Sequence, residues 1–270
     1  MRRFDTFLFN DELDMLQMRL EELAGKVDQH VLVEAVLDHQ GNPKPLWYVE
    51  NKERFAPWAD RITHIVADVP TRAQAANPWS REWAMRQSVW NGLQDAEGQD
   101  LILLCDVDEI PSDEAVSLKP DIPVAMGMRQ SMFAVDWVCP EETRVAIAGR
   151  VDSLAAVPLW AARDNGFRGR LPLAEGCGWH FTWLGGPDAI RRKASQFCHL
   201  ELQQMILDGN DAGEWYEQGW TWHGDTPNYP PPRRAFRMIA ADVDEGWPAY
   251  IRERRCPPEW FRPRPPDARS

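Results

Sequence analysis

Asp100-Leu101-Ile102-Leu103-Leu104-Cys105-Asp106-Val107-Asp108-Glu109-Ile110-Pro111 is the stretch from which the rest of the chain is read. Five apolar residues run together, three carboxylates follow within four positions, and a proline stops the element. A short uninterrupted apolar run of this kind predicts a strand buried on both faces, as in a parallel sheet. Ligands of open α/β sheets bind just outside the carboxyl ends of such strands. Carboxylates placed this closely repel one another unless something positive lies between them. A hard divalent cation such as Mg²⁺ or Mn²⁺ is the economical filler, because it favours carboxylate oxygen. On an extended segment Asp106 and Asp108 point the same way and can face one ion. The plainer alternative is a solvated turn after a buried strand. An aspartyl-nucleophile phosphatase also carries Asp-x-Asp after a strand, but near its N-terminus and not followed by a residue like Glu109.

Working outward, the chain before this strand alternates β and α patterns. Residues 4–9 and 31–36 predict strands, and 62–66 another. Between the first two, Asn10 or Asp11 caps a helix with Leu13, Leu16, Leu20 and Leu23 at helical spacing, ending at Gly25. Gly41-Asn42-Pro43-Lys44-Pro45 is a turn, and 51–58 a short polar helix or loop carrying Lys52 and Arg54. Asn77-Pro78-Trp79 opens a helix that runs to about Ala96 and holds Arg81, Trp83, Arg86 and Trp90. Ser112 caps a further helix. Such alternation is the signature of parallel βαβ units. Beyond Pro120, segments 124–128, 132–138 and 144–147 predict strands of an antiparallel or mixed extension of the same sheet. Residues 163–170 read as a polar loop, 178–186 as a strand entering a glycine turn, 188–197 as a helix, and 200–207 as its continuation. One domain over 1–261 is expected, in halves 1–120 and 121–261, with a disordered tail over 262–270.

Composition limits the function. The chain has 270 residues, 44% hydrophobic and 27% charged, which are globular values. A net charge of -12 argues against nucleic acid or an anionic membrane as the main partner. Five cysteines without a C-x-x-C fit reduced thiols better than a disulfide framework. No signal-peptide core and no long apolar run occurs, so a cytoplasmic protein without a membrane span is expected. Fourteen tryptophans leave room for indole faces that stack on sugars.

Six ordered segments resemble glycosyltransferase family 17, whose best-known members are β-1,4-mannosyl-glycoprotein β-1,4-N-acetylglucosaminyltransferases. They are Phe9-Asn10-Asp11-Glu12-Leu13-Asp14-Met15-Leu16; Val33-Glu34-Ala35; Lys44-Pro45-Leu46 with Asn51-Lys52-Glu53-Arg54-Phe55; Asp106-Val107-Asp108-Glu109-Ile110-Pro111; Gly178-Trp179-His180-Phe181 leading into Gly185-Gly186; and His199-Leu200-Glu201. The resemblance implies a GT-A type α/β fold: a central, mostly parallel mixed sheet flanked by helices, with a Rossmann-like nucleotide half. It implies transfer of a sugar, N-acetylglucosamine in known members, from a UDP-sugar to a saccharide or glycoconjugate acceptor, with inversion and with Mn²⁺ or Mg²⁺. On that pattern the metal set is Asp106, Asp108 and His199, with Asp108 the direct ligand and Glu109 supporting it at the catalytic centre. Donor contacts fall to Glu34, Asp106, Lys52, Arg54 and Arg86. Acceptor contacts fall to Trp179, His180 and Asp136, and the general base to Asp188. A non-catalytic sugar- or nucleotide-binding relative and a metal-dependent phosphohydrolase are the competing classes.

Overall fold

The computed structural model describes residues 1–200, 203, 217 and 238–262. The expected helix over 200–207 and the tail over 262–270 fall almost wholly outside these residues. Described strands are β1 (Arg3–Leu8), β2 (Gln29–Glu34), β3 (Ile62–Val66), β4 (Leu101–Asp106), β5 (Glu109–Pro111), β6 (Val124–Met126), β7 (Arg129–Met132), β8 (Trp137–Val138), β9 (Ile147–Arg150), β10 (Leu173–Ala174), β11 (Gly178–Thr182) and β12 (Ile239–Ala240). The α-helices that matter below are α1 (Leu13–Glu22), α2 (Trp47–Glu50), α3 (Trp79–Ser88), α4 (Asp113–Val116), α5 (Val151–Leu154), α6 (Leu159–Phe167) and α7 (Gly186–Gln196).

The chain folds as two compact units, one of Met1–Arg129 with Glu142–His180 and one of Gln130–Glu141 with Phe181–Ser270. They interleave along the sequence, whereas the sequence reading divides the chain near residue 120. The first unit is built on a seven-stranded mixed sheet in the order β10-β6-β9-β4-β1-β2-β3. Strands β1, β2, β3 and β4 are mutually parallel, as their apolar runs predict. β9 pairs antiparallel to β4 and to β6, the expected mixed extension, but the strands from 132–138 belong to another sheet. From β1 the chain moves outward through β2 and β3, then returns to β4 on the other side of β1. Ligands of open α/β sheets bind beyond the carboxyl ends of strands at such a reversal, and the Asp106 end of β4 lies at this one.

Local chemistry explains where elements end. α3 stops at Ser88 and passes into a 3₁₀ turn, Val89–Gly92, instead of running to Ala96. A Cβ on Gly92 would meet Val31 Cγ1 at 2.4 Å, so only glycine lets this turn lie against β2. Asn77 still caps α3, its Oδ1 accepting from the Trp79 N–H at 3.1 Å. The cap predicted for α1 is different: Glu12 Oε2 accepts from the N–H groups of Asn10 and Asp11, both at 3.2 Å. The predicted strand 132–138 is two strands, because Phe133 takes φ 70° and breaks the extended run. The predicted loop 163–170 is wrong over its first half. Residues from Leu159 form α6, whose start follows Pro158 and whose alanines favour helix.

The second unit carries β7, β8 and β12, with β8 antiparallel to both others. Its core gathers Phe133, Trp137, Trp183, Ile190, Ala194 and Met238. Trp183, at φ 61°, and the glycines Gly185 and Gly186 turn the chain into α7.

Candidate functional site

Two buried arginines, Arg19 and Arg86, and the partly buried Arg163 assemble the carboxyl end of β4. Asp106 Oδ1 accepts from Arg86 Nη2 at 2.5 Å, and its Oδ2 accepts from Arg163 Nη2 at 2.7 Å. Glu109 is fully buried and takes Arg163 on both oxygens, at 2.7 and 3.0 Å, while its Oε2 also accepts from the Asp106 N–H at 2.7 Å. Arg19 Nη1 donates to the carbonyls of Asp106, Val107 and Glu109, the last at 2.5 Å. Arg19 is itself held by Asp5 in β1, and Asp5 also meets His30 Nδ1 at 2.8 Å. Positive charge reaches Asp106 and Glu109 from guanidinium groups of α3 and α6. That corrects the inference that a cation must lie between Asp106 and its neighbours. Desolvation pushes the Asp106 carboxyl up, but Arg163 and then Arg86 outweigh it and hold it well below the usual carboxylate range. Burial pushes the adjacent Cys105 thiol up to about 12, so it is no nucleophile at neutral pH.

Asp108 follows on the next turn. The strand ends at Asp106, and Val107 and Asp108 form a turn, so the alternation that would aim Asp106 and Asp108 at one ion is interrupted. Asp108 is 6% exposed, and its Oδ1 lies 3.8 Å from His180 Nε2. β11 delivers His180: its first three residues pair antiparallel with β5, setting His180 opposite Glu109. Gly178 makes this approach possible, because a Cβ there would meet the Ile110 carbonyl oxygen at 2.1 Å. His180 Nδ1 is buried without a hydrogen bond among the described residues, so nothing there ties the imidazole to one tautomer. No group of three or more His, Cys, Asp and Glu side chains among the described residues could hold a metal ion. The Asp108 carboxylate does suit an ion such as Mg²⁺ or Mn²⁺ that completes its shell on water and substrate phosphates.

Residues 1–163 match the family model of glycosyltransferase family 17. The chain belongs to that family. Over 159 residues, 55% of this chain and 30% of theirs, it is 26% identical to the beta-1,4-mannosyl-glycoprotein 4-beta-N-acetylglucosaminyltransferases of Homo sapiens and Rattus norvegicus. The corresponding protein of Mus musculus is 25% identical over the same length. The aligned stretch thus spans under a third of these relatives. The family 17 match takes in all three arginines of the β4 cluster, ending at Arg163, and stops short of His180.

The other predicted residues divide by surroundings. Glu34 is buried at the end of β2, where its Oε2 accepts from the Tyr48 N–H at 3.0 Å and lies 3.6 Å from His64 Nε2. Its Oε1 has no hydrogen-bond partner among the described residues. Lys44 is close enough to feel Glu34, and burial lowers its pKa. Lys52 is exposed, and Arg54 lies on the surface against Asp14 and Gln17. Arg81 is buried and donates to the carbonyls of His39 and Ala75, a structural duty. Trp179 is half-buried in β11 opposite Ile110. In the second unit, Asp136 is tied to Arg262 at 2.9 Å, and His199 lies against the Phe197 ring. Asp188 sits in the first turn of α7, its side chain 99% exposed and 3.0 Å from Arg191. Arg19 and Arg163 escaped the sequence reading. Arg19 lies on the same helical face as Leu16 and Leu20, and a charge there signals a buried partner. Among the described residues no helix is long and apolar enough to cross a membrane.

Proposed function

We propose that the chain is a metal-assisted, inverting glycosyltransferase of the GT-A type that moves a sugar of the N-acetylglucosamine class from a UDP-sugar to a saccharide acceptor. The observation that carries this is Asp108. It is a carboxylate at the topological reversal of the sheet, facing His180, while its neighbours Asp106 and Glu109 are neutralised by arginine. Family membership and the names of the relatives supply the reaction class. Asp108 would hold the cation, which when bound would neutralise charge developing on the departing diphosphate. Asp106, Glu109 and the arginines keep the turn that carries Asp108 in one geometry. Glu34 has an oxygen left to accept from a hydroxyl such as those of ribose. An inverting transfer needs one base for the acceptor hydroxyl. Asp136 is occupied by Arg262, so Asp188, open to solvent, is the carboxylate we assign to that step.

The test is a thermal-shift titration with UDP and UDP-N-acetylglucosamine, with and without Mn²⁺, followed by mass-spectrometric detection of transfer. A Mn²⁺-dependent shift by both nucleotides is expected. No shift with any nucleotide sugar would sink the reading, and a shift without turnover would leave a binding-only relative.

A further inference from the structure

Helices α3 and α6 pack together and repeat one tetrad, Trp83-Ala84-Met85-Arg86 and Trp160-Ala161-Ala162-Arg163. Residues three apart lie on neighbouring parts of one helix face. The two arginines converge on a single carboxylate, taking one oxygen of Asp106 each. The two tryptophans meet as well, with ring centroids 5.0 Å apart and planes at 30°. Ala84 and Ala162 between them pack into the core, and their small size lets the helices approach. The twin tetrads therefore set a pair of charges and a pair of indoles side by side.

The direction of α3 places Trp83 at the site rim. α3 connects β3 to β4, two parallel strands, so it runs against them and its first turns lie toward the strands' carboxyl ends. Trp83 precedes Arg86 by three residues, about 4.5 Å along the helix axis. It therefore lies one turn farther out than the group that touches Asp106. Trp160 meets it there from α6, ring against ring. Both rings stay partly open to water, Trp83 at 36% and Trp160 at 37% exposure, and the Asp106 side chain beside them is 37% exposed. Glu82, the neighbour of Trp83, also turns toward this cluster and holds Arg86. Flat apolar rings bordered by carboxylates match the two faces of a pyranose: its C–H face packs on π surface, and its hydroxyls donate to carboxylate oxygen.

We propose that Trp83 and Trp160 form a stacking platform for a pyranose ring beside Asp106. The proposal rests on the sugar-transferase reading, and the ring belongs either to the donor or to the acceptor. The test compares the full-length chain with the Trp83→Ala/Trp160→Ala double variant, in Mn²⁺, by calorimetry and tryptophan fluorescence. The probes are UDP, UDP-N-acetylglucosamine, and the disaccharides chitobiose and mannobiose. UDP affinity should be equal in the two proteins. If the donor ring stacks, the double variant loses roughly fivefold or more on UDP-N-acetylglucosamine but not on UDP. If the acceptor ring stacks, a similar loss falls on a disaccharide instead. A folded double variant that binds all four probes as the wild type does overturns the platform. Should the double variant melt early, Trp83→Leu and Trp160→Leu keep the apolar bulk without the flat ring and are judged by the same criterion. A wild-type chain that binds disaccharide through these tryptophans but ignores UDP keeps the platform and removes the transferase reading. One that binds UDP, and whose sugar binding does not depend on either tryptophan, does the reverse.

Discussion

The turn at Asp108 and the helix start at Asp188 are both carboxylate sites, and they are built by opposite means. Asp108 lies on a turn whose neighbours are fixed by the buried Arg19 and Arg86 and the partly buried Arg163. Asp188 stands on the first turn of α7, exposed and 3.0 Å from Arg191. In the first region the chain commits buried charge to hold a geometry, so changes there cost stability before they cost anything else. In the second the carboxylate is exposed, so its replacement should cost the fold little. Membership of family 17 is carried by the first region, since the matched residues end at Arg163.

Ordered by their cost to stability, the following experiments probe that contrast. Arg163→Ala leaves Asp106 and Glu109 without their shared counter-charge, and breaking a buried pair costs ~3–5 kcal/mol. Urea unfolding should register that loss, and Arg163→Lys should recover only part of it, because an ammonium cannot span both carboxylates as a guanidinium does. A loss below about 1 kcal/mol would show that the cluster is surface-like after all.

Acid comes next. Burial pushes the Asp5 carboxyl up, but Arg19 and His30 outweigh it and hold it below its ordinary value, as Arg163 and Arg86 do for Asp106. A depressed folded pKa means stability that is complete above the unfolded value, about 3.9, and is lost as pH falls below it toward the folded one. The unfolding midpoint should therefore be unaffected by these groups from pH 7 to about 5. Below about pH 4 it should fall, with Asp5 contributing up to ~1.4 kcal/mol per pH unit. Asp106, more than a third open to water, contributes less. A midpoint that is flat down to pH 3 would contradict the arginine pairing.

Asp188→Asn should be the mildest change to the fold, under about 0.5 kcal/mol. Donor binding should survive it, and transfer should fall by roughly 10²–10⁴ if Asp188 takes the acceptor proton. A variant with full activity would remove Asp188 from that role.

Much of the first unit was legible because its strands are continuous apolar runs. Ile62–Val66 was placed to the residue, and the parallel order followed from the alternation of elements. The carboxyl end of β4 was recognisable as a cluster of charge because three carboxylates follow a buried strand. What holds it was not, since Arg19, Arg86 and Arg163 arrive from elements 87, 20 and 57 residues away from Asp106. Asp5 and Arg19 did leave a trace: each is a charge within an apolar pattern, and two such anomalies imply each other. α6 was missed because Arg163, Asp164, Asn165 and Gly166 read as a loop, whereas Gly166 is required where a Cβ would meet Ile147 Cδ1 at 2.4 Å. Tertiary packing overrode local preference there.

The central claim is that Asp108, not Asp106, is the carboxylate that binds the donor's metal. Calorimetric titration of UDP in the presence of Mn²⁺ tests it on the wild type and on Asp108→Asn and Asp106→Asn. The account predicts that Asp108→Asn, still folded, loses Mn²⁺-dependent UDP binding. Asp106→Asn should keep that binding and unfold at lower urea. Retained Mn²⁺-dependent binding in Asp108→Asn, or its loss in a folded Asp106→Asn, would contradict it.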